Sequence, residues 1–134
     1  MKALLRLITL LTALMLTATA CGPAVYRDGV YTARSDPDDR GGWGEVTVTI
    51  TNQAIAGIDY RVLDKDGTEK GEDYGRADNQ EFYARAQAAV RAAAEYRRQL
   101  QQNPDISRIE RISGATISYD QLLQALDRAL HQAR

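Results

Sequence analysis

Two short segments of alternating apolar and polar residues, joined by a few turn-forming residues, most constrain the fold of this chain. In residues 46–50 an apolar side chain occupies every second position, and the same holds for residues 58–62. This period of two is typical of strands that bury one face. Residues 51–54 supply the turn, so the pattern predicts an antiparallel hairpin. Since an isolated hairpin is marginal in water, it needs a further strand and a helix over its apolar face.

The rest of the chain supplies these partners. Residues 31–35 are predicted to form a first strand, entered through the turn-like pair Asp28-Gly29. A helix is predicted over roughly residues 80–102, because apolar residues recur every three or four positions there. Asp78 or Asn79 can cap it, and it ends before Pro104.

The C-terminal part of the chain predicts two more elements. Ile109 and Ile112 alternate with charged residues, a pattern consistent with a short strand that joins the sheet. A last helix is expected over about residues 119–132, with Ser118 as its N-cap and Gln121 closing a capping box. We therefore expect an α+β fold, in which a small, mainly antiparallel sheet of three to four strands packs against two principal helices.

The first twenty residues have the features of an export signal. A short positive region precedes an apolar stretch, residues 7–16, that is too short to span a bilayer comfortably. Small residues then lead into Cys21 and resemble a bacterial lipobox, which would make Cys21 the site of lipid attachment. The alternative is an ordinary signal peptide with a leftover thiol. We predict a lipoprotein signal peptide at 1–20, a lipidated cysteine and short tether at 21–27, and one domain at 28–134.

Composition excludes several function classes. The 134-residue chain carries 17 basic and 18 acidic residues, and two of the basic ones lie in the signal segment, so the mature chain is slightly acidic. This balance argues against nucleic-acid binding. With one cysteine and one histidine, His131, the chain has no His/Cys metal set and no convincing Ser–His–Asp triad. We therefore predict no catalytic residues and no metal, and the composition argues against an independent hydrolase or metalloenzyme.

Ser113, Gly114, Ala115 and Thr116 form a small-residue turn just ahead of the last predicted helix. A helix start favours an anion, because its first backbone amides are free and its dipole is positive there. Residues with almost no side chain allow a bulky group to approach the backbone. The residues alone thus indicate a turn with a hydroxyl at an anion-friendly helix start.

Ser-Gly-Ala-Thr resembles the attachment motif of the FMN-binding domain family, in which a flavin transferase esterifies the phosphate of FMN onto the threonine. The resemblance implies that Thr116 is the covalent acceptor, that residues 113–115 are its recognition context, and that Ser118 lies near the phosphate. Glu110 stands where the family usually has an aspartate, which keeps the charge but lengthens its reach. The family includes subunits of membrane redox complexes and small flavinylated lipoproteins.

The resemblance also implies a function. It is that of an extracytoplasmic electron carrier, lipid-anchored through Cys21 to the outer face of the cell membrane or to the outer membrane, with redox partners that the sequence does not identify. The alternatives are an envelope lipoprotein of the same fold without flavin, and a domain that binds flavin non-covalently. Either would leave Thr116 unmodified.

Aromatic residues are the candidates for the wall of a flavin site. Trp43 lies among Gly41, Gly42 and Gly44, which either let the backbone approach a flat ligand or mark a bulge at a strand entry. We predict Trp43 and Tyr31 as cofactor neighbours. Tyr74 is either a neighbour of the ligand ring or an exposed tyrosine, and we expect the exposed role. The acidic loop around Asp36, Asp38 and Asp39 is predicted to be a solvated turn.

Overall fold

The computed structural model describes residues 25–134, and the predicted signal peptide and Cys21 lie outside the described residues. Within them the chain folds into strands β1 (Gly29–Arg34), β2 (Trp43–Thr51) and β3 (Ala54–Leu63), then helices α1 (Gln80–Gln102) and α2 (Thr116–Gln132). A 3-10 turn, Ile106–Arg108, lies between the helices. The α+β prediction is confirmed, with three strands in the described part of the chain.

The predicted hairpin forms the centre of the sheet. The strand order is β1-β2-β3 and both pairings are antiparallel, with Val46 opposite Tyr60 and Val48 opposite Ile58. The turn between β2 and β3 places Asn52 and Gln53 at positive φ, 53° and 62°. Positive φ at both central residues is what a type I′ hairpin turn requires, and asparagine tolerates it better than most residues. The turn therefore forms without the Asn-Gly pair that most often signals it.

Both helices pack on one face of the sheet. α1 covers β3, whereas α2 covers β1 and β2. The side chains of Tyr60, Tyr96, Leu100 and Leu122 are almost fully buried between these layers. Alanines at the buried positions of both helices let them lie close to the strands, which explains how a chain of this size closes its core with few aromatic residues.

The predicted cap of α1 is confirmed. Asn79 is the N-cap, and its side chain accepts a hydrogen bond from the Phe82 amide at 2.8 Å.

The prediction for α2 is wrong at its start. The helix begins at Thr116, with Ala115 as its N-cap and no capping bond from that residue's side chain in the described structure. Ser118 therefore lies inside the first turn and is buried rather than capping.

The strand suggested by Ile109 and Ile112 does not form. This segment follows the 3-10 turn, and its amides bond to side chains of α1. The Glu110 amide donates to Gln99 Oε1 at 2.9 Å and the Ile112 amide to the Tyr96 hydroxyl at 3.0 Å. Because those amides have partners on α1, the segment packs Ile109 into the core without pairing with a strand.

Among residues 25–134, no helix is both long and apolar enough to cross a membrane.

Candidate functional site

The turn that precedes α2 has the geometry that its small residues predict. The Ala115 amide donates to the Ile112 carbonyl at 3.2 Å, and Gly114 has φ of +79°. This is the arrangement of a type II turn, whose third residue needs positive φ and is therefore usually glycine. A Cβ on Gly114 would meet no other atom within 4 Å, so backbone conformation, rather than space, requires glycine here.

The turn presents Thr116 to solvent at the first position of α2. Ser113, Gly114 and Thr116 are exposed, whereas Ala115 is buried and fixes the helix start to the core. The first hydrogen bond of the helix runs from the Tyr119 amide to the Ala115 carbonyl, at 3.0 Å. The amides of residues 116–118 therefore have no partner inside the helix. An exposed hydroxyl thus lies beside backbone donors suited to a phosphate.

Two buried contacts hold the first turn of α2 against the sheet. The Tyr60 hydroxyl donates to the Ser118 carbonyl at 2.7 Å, and Gln121 Nε2 donates to the Gly42 carbonyl at 3.2 Å. Burial, with a smaller effect from Tyr96, raises the pKa of Tyr60, so the phenol stays a protonated donor. A Cβ on Gly44 would lie 3.0 Å from both Gln121 and Tyr60 side-chain atoms, so this glycine makes room for the contact.

We expect Tyr60→Phe to destabilise the domain by about 1–3 kcal/mol, because it leaves the buried Ser118 carbonyl without its donor. Tyr83→Phe is the matched control, since its hydroxyl donates to the Glu72 carbonyl at an exposed position. Urea unfolding of both variants measures the difference. Equal losses in the two variants would show that the buried bond does not secure the helix start.

A cavity of about 480 Å³ opens beside the first turn of α2. This volume lies within the range of ligand sites. Its walls come from the loops before β2 and after β3 and from the first half of α1. The apolar lining is Val62, Phe82, Ala86, Ala89, Val90 and Ile117, and the polar lining includes Asp38, Arg40, Lys70, Tyr74, Arg85, Ser118 and Gln121. Ile117, next to Thr116, is 64% exposed at the mouth.

Two cations of the cavity lie over aromatic rings. The Arg40 guanidinium is 3.9 Å from the centroid of Phe82, and Lys70 Nζ is 4.7 Å from that of Tyr74. Arg85 lines the same cavity and makes an exposed 3.7 Å ion pair with Glu81. The cavity therefore combines an apolar, aromatic surface with three cations, and each cation is paired with a carboxylate: Arg40 with Asp78, Lys70 with Asp38 and Arg85 with Glu81. The apolar, aromatic part of the lining suits a flat aromatic ligand.

Asp38 anchors the loop that forms one wall. Its carboxylate accepts from Lys70 Nζ at 3.0 Å and from the amides of Arg40 and Gly42 at 2.9 Å. Burial by itself would raise the pKa of Asp38, but these hydrogen bonds outweigh it and leave the pKa below its ordinary value. The interpretation of the whole acidic loop as a solvated turn is thus wrong for Asp38, whose side chain is only 16% exposed.

The predicted aromatic neighbours lie elsewhere. Trp43 is on the sheet face opposite the helices, since Gly44 faces Gln121, and its ring lies 4.8 Å from the Arg34 guanidinium. Its indole nitrogen is buried without a hydrogen-bond partner in the described structure. The hydroxyl of Tyr31 donates to the Arg27 carbonyl, near the C-terminal end of α2. The structure brings neither residue to the cavity beside Thr116, so their roles stay predictions.

Sequence reasoning missed most of the cavity. Arg40, Lys70 and Phe82 come from three separate segments of the chain. Tyr74, which the sequence predicts as a surface residue, also lines the cavity. No group of three or more His, Cys, Asp or Glu side chains suited to a metal occurs within residues 25–134.

Two solved structures are similar to this chain. A crystal structure of a Clostridium perfringens protein matches with a TM-score of 0.60 and 23% identity, over 81% of this chain and 88% of that chain. A solution NMR structure from Clostridium thermocellum matches with a TM-score of 0.44 and 23% identity, over 80% and 92% of the two chains. The first supports the fold. Comparison with curated proteins gives no match.

The model of a family described as the FMN-binding domain matches residues 40–131, well over half of the chain. The matched segment includes most of the cavity lining, the small-residue turn and nearly all of α2. The chain therefore belongs to the FMN-binding domain family, with FMN as its cofactor.

Proposed function

We propose that this protein is a lipid-anchored, extracytoplasmic electron carrier whose FMN is esterified through its phosphate to Thr116. The observation that carries the proposal is the exposed hydroxyl of Thr116, at the first position of α2 and beside a cavity with an apolar, cationic lining. Family membership supports FMN as the cofactor. The Ser-Gly-Ala-Thr motif supports its covalent attachment by a flavin transferase.

The residues that would hold the cofactor have separable tasks. The first amides of α2 and its dipole stabilise the phosphate charge, a contribution of about 0.3–1 kcal/mol. Phe82, Val90 and Ile117 offer apolar contact surface, and Arg85, whose 3.7 Å ion pair with Glu81 is exposed, offers positive charge at the cavity. When bound, the flavin supplies the redox chemistry, and the protein contributes binding and electrostatics.

Membrane attachment rests on the lipobox-like sequence that ends at Cys21. Several acyl chains on one cysteine hold a protein stably at a membrane, whereas one chain holds it only marginally. Covalent attachment of FMN suits such a location, because a carrier outside the cell cannot recover a lost cofactor.

The positive charge of the cavity leads to a prediction on the reduction potential. We expect Arg85→Gln to shift the flavin midpoint potential to more negative values by about 4–20 mV, since an exposed charge contributes about 0.2–1 kcal/mol. Arg91→Gln, an exposed change on α1 outside the cavity lining, is the matched control. Spectroelectrochemical titration of the purified holoproteins measures both. Equal potentials in the two variants would refute the contribution of Arg85.

The test of the function is production of the protein together with a flavin transferase and FAD. We expect a yellow protein whose flavin fluorescence stays with the chain after denaturation. Release of the flavin on denaturation would favour non-covalent binding. A colourless protein would favour an envelope lipoprotein without redox function.

A further inference from the structure

The elements give the domain two distinct ends. The start of β2, the cavity and the first turn of α2 lie at one end, which we call the cofactor end. The β2–β3 turn, the last turn of α2 and the first described residues lie at the other, which we call the entry end. Contacts hold the first described residues there: the Arg27 amide donates to the Ala133 carbonyl at 2.7 Å, and Arg27 Nη2 donates to the Gln132 carbonyl at 2.9 Å.

The separation of the two ends follows from the length of α2. Its 17 residues rise 1.5 Å each, which places Thr116 about 25 Å from Gln132 and Ala133, the residues that contact Arg27. The nine residues of β2 run between the same two ends and span about 30 Å. Thr116 is thus separated from the chain entry by nearly the whole length of the domain.

The tether is shorter than this separation. Three residues, Gly22, Pro23 and Ala24, stand between Cys21 and Val25. Four steps of at most about 3.6 Å allow roughly 14 Å between the two Cα atoms. A lipid on Cys21 therefore lies within reach of the entry end but not of Thr116.

The entry end carries an apolar surface at the point where the tether begins. We call it the entry surface; it consists of Val25, Tyr26, Ile55, Ile106 and Leu130. Val25 is 64% exposed, and the other four are half-buried around an open cavity of about 680 Å³. An apolar surface within reach of an acylated cysteine has a bilayer as its nearest apolar environment.

We propose that the entry surface rests on the membrane, so that the cofactor end faces away from the bilayer. The proposal deepens the proposed function and rests on its lipid attachment at Cys21. The partner that exchanges electrons with the flavin then approaches from the aqueous side. A membrane-embedded carrier, such as a lipid-soluble quinone, would be held about 25 Å from the site.

The chain contains one tryptophan, Trp43, and it reports on this orientation without the flavin. Trp43 begins β2 at the cofactor end. The full-length lipidated protein is bound to phosphatidylcholine vesicles with brominated acyl chains, which quench tryptophan only at close range. We expect no loss of Trp43 emission relative to vesicles of unbrominated lipid.

A variant whose single tryptophan is moved to the entry surface, which we call the moved probe, is the matched comparison. In Val25→Trp with Trp43→Phe, the indole lies on the entry surface, and we expect brominated lipid to remove most of its emission. Should the double variant fail to fold by circular dichroism, Val25→Trp alone serves, with quenching of only the added emission.

Each outcome bears on a different claim. Quenching of Trp43 as strong as that of the moved probe would overturn the orientation. A moved probe that is not quenched, in a protein that floats with the vesicles, would overturn contact between the entry surface and lipid. A chain that does not float at all would refute the lipid anchor of the proposed function, and the orientation with it.

Discussion

Thr116→Ala is expected to abolish covalent flavin while leaving the fold intact. The side chain is exposed at the first position of α2, and neither the helix cap nor the core uses it. Alanine is a good helix former, so the first turn loses no propensity. The expected product is a colourless protein with a wild-type circular dichroism spectrum and an unchanged urea midpoint.

Thr51→Ala is the matched control for this loss. Thr51 is also exposed, but it ends β2 at the entry end, far from the cavity. We expect this variant to keep its flavin. In-gel flavin fluorescence after denaturation compares the two proteins, and retention of flavin by the Thr116 variant would refute the acceptor assignment.

Asp38→Ala is expected to cost about 3 kcal/mol of unfolding free energy, because it leaves the Lys70 ammonium buried without its partner. The Lys70 side chain is only 8% exposed, and the carboxylate also holds the amides of Arg40 and Gly42. Loss of this anchor should loosen the cavity wall and reduce flavin loading. Asp39→Ala changes an exposed carboxylate one residue along and should have little effect on the free energy of unfolding.

The stabilisation by Asp38 should depend on pH in a definite direction. Its pKa in the folded protein lies below the ordinary value of 3.8, so the charged form is stabilised by folding. Its contribution is therefore complete above the unfolded pKa and is lost as the pH falls through the folded one. The difference in unfolding free energy between wild type and Asp38→Ala should shrink below about pH 4. A difference that stays constant to lower pH would contradict this origin.

The hairpin and α1 could be predicted from the sequence, because the local pattern of apolar residues is enough to define each of them. Alternation in residues 46–50 and 58–62 sufficed for the hairpin, since a strand with one buried face needs that period wherever it packs. The apolar stripe and cap likewise predicted α1 to the residue. Such patterns are local, so they are visible before any tertiary contact is known.

The predictions from local motifs were wrong where the same residues make tertiary hydrogen bonds instead. Ser118 and Gln121 match a capping box. In the structure, however, the Ser118 carbonyl accepts a hydrogen bond from the Tyr60 hydroxyl, and the Gln121 side-chain amide donates one to the Gly42 carbonyl. Both contacts join positions more than fifty residues apart in the chain, so the motif alone could not reveal them. The isoleucine spacing at 109–112 predicted a strand that does not form, because backbone amides of this segment donate to side chains of α1.

The sequence indicated the turn that presents Thr116, but it did not indicate the cavity beside that turn. Thr116 and its turn lie in four consecutive residues that a motif can describe. Lys70 and Arg40, by contrast, reach the cavity from two loops, and only the paired sheet ends bring those loops together. No spacing in the chain encodes that convergence.

Peptide mass spectrometry of the denatured protein from its native host is the most direct test of a phosphoester between Thr116 and FMN. We expect a peptide containing Thr116 that is heavier by FMN less one water, with the matching fragment ions assigned to that residue. An unmodified Thr116 peptide, from cells shown to contain an active flavin transferase, would refute the covalent attachment.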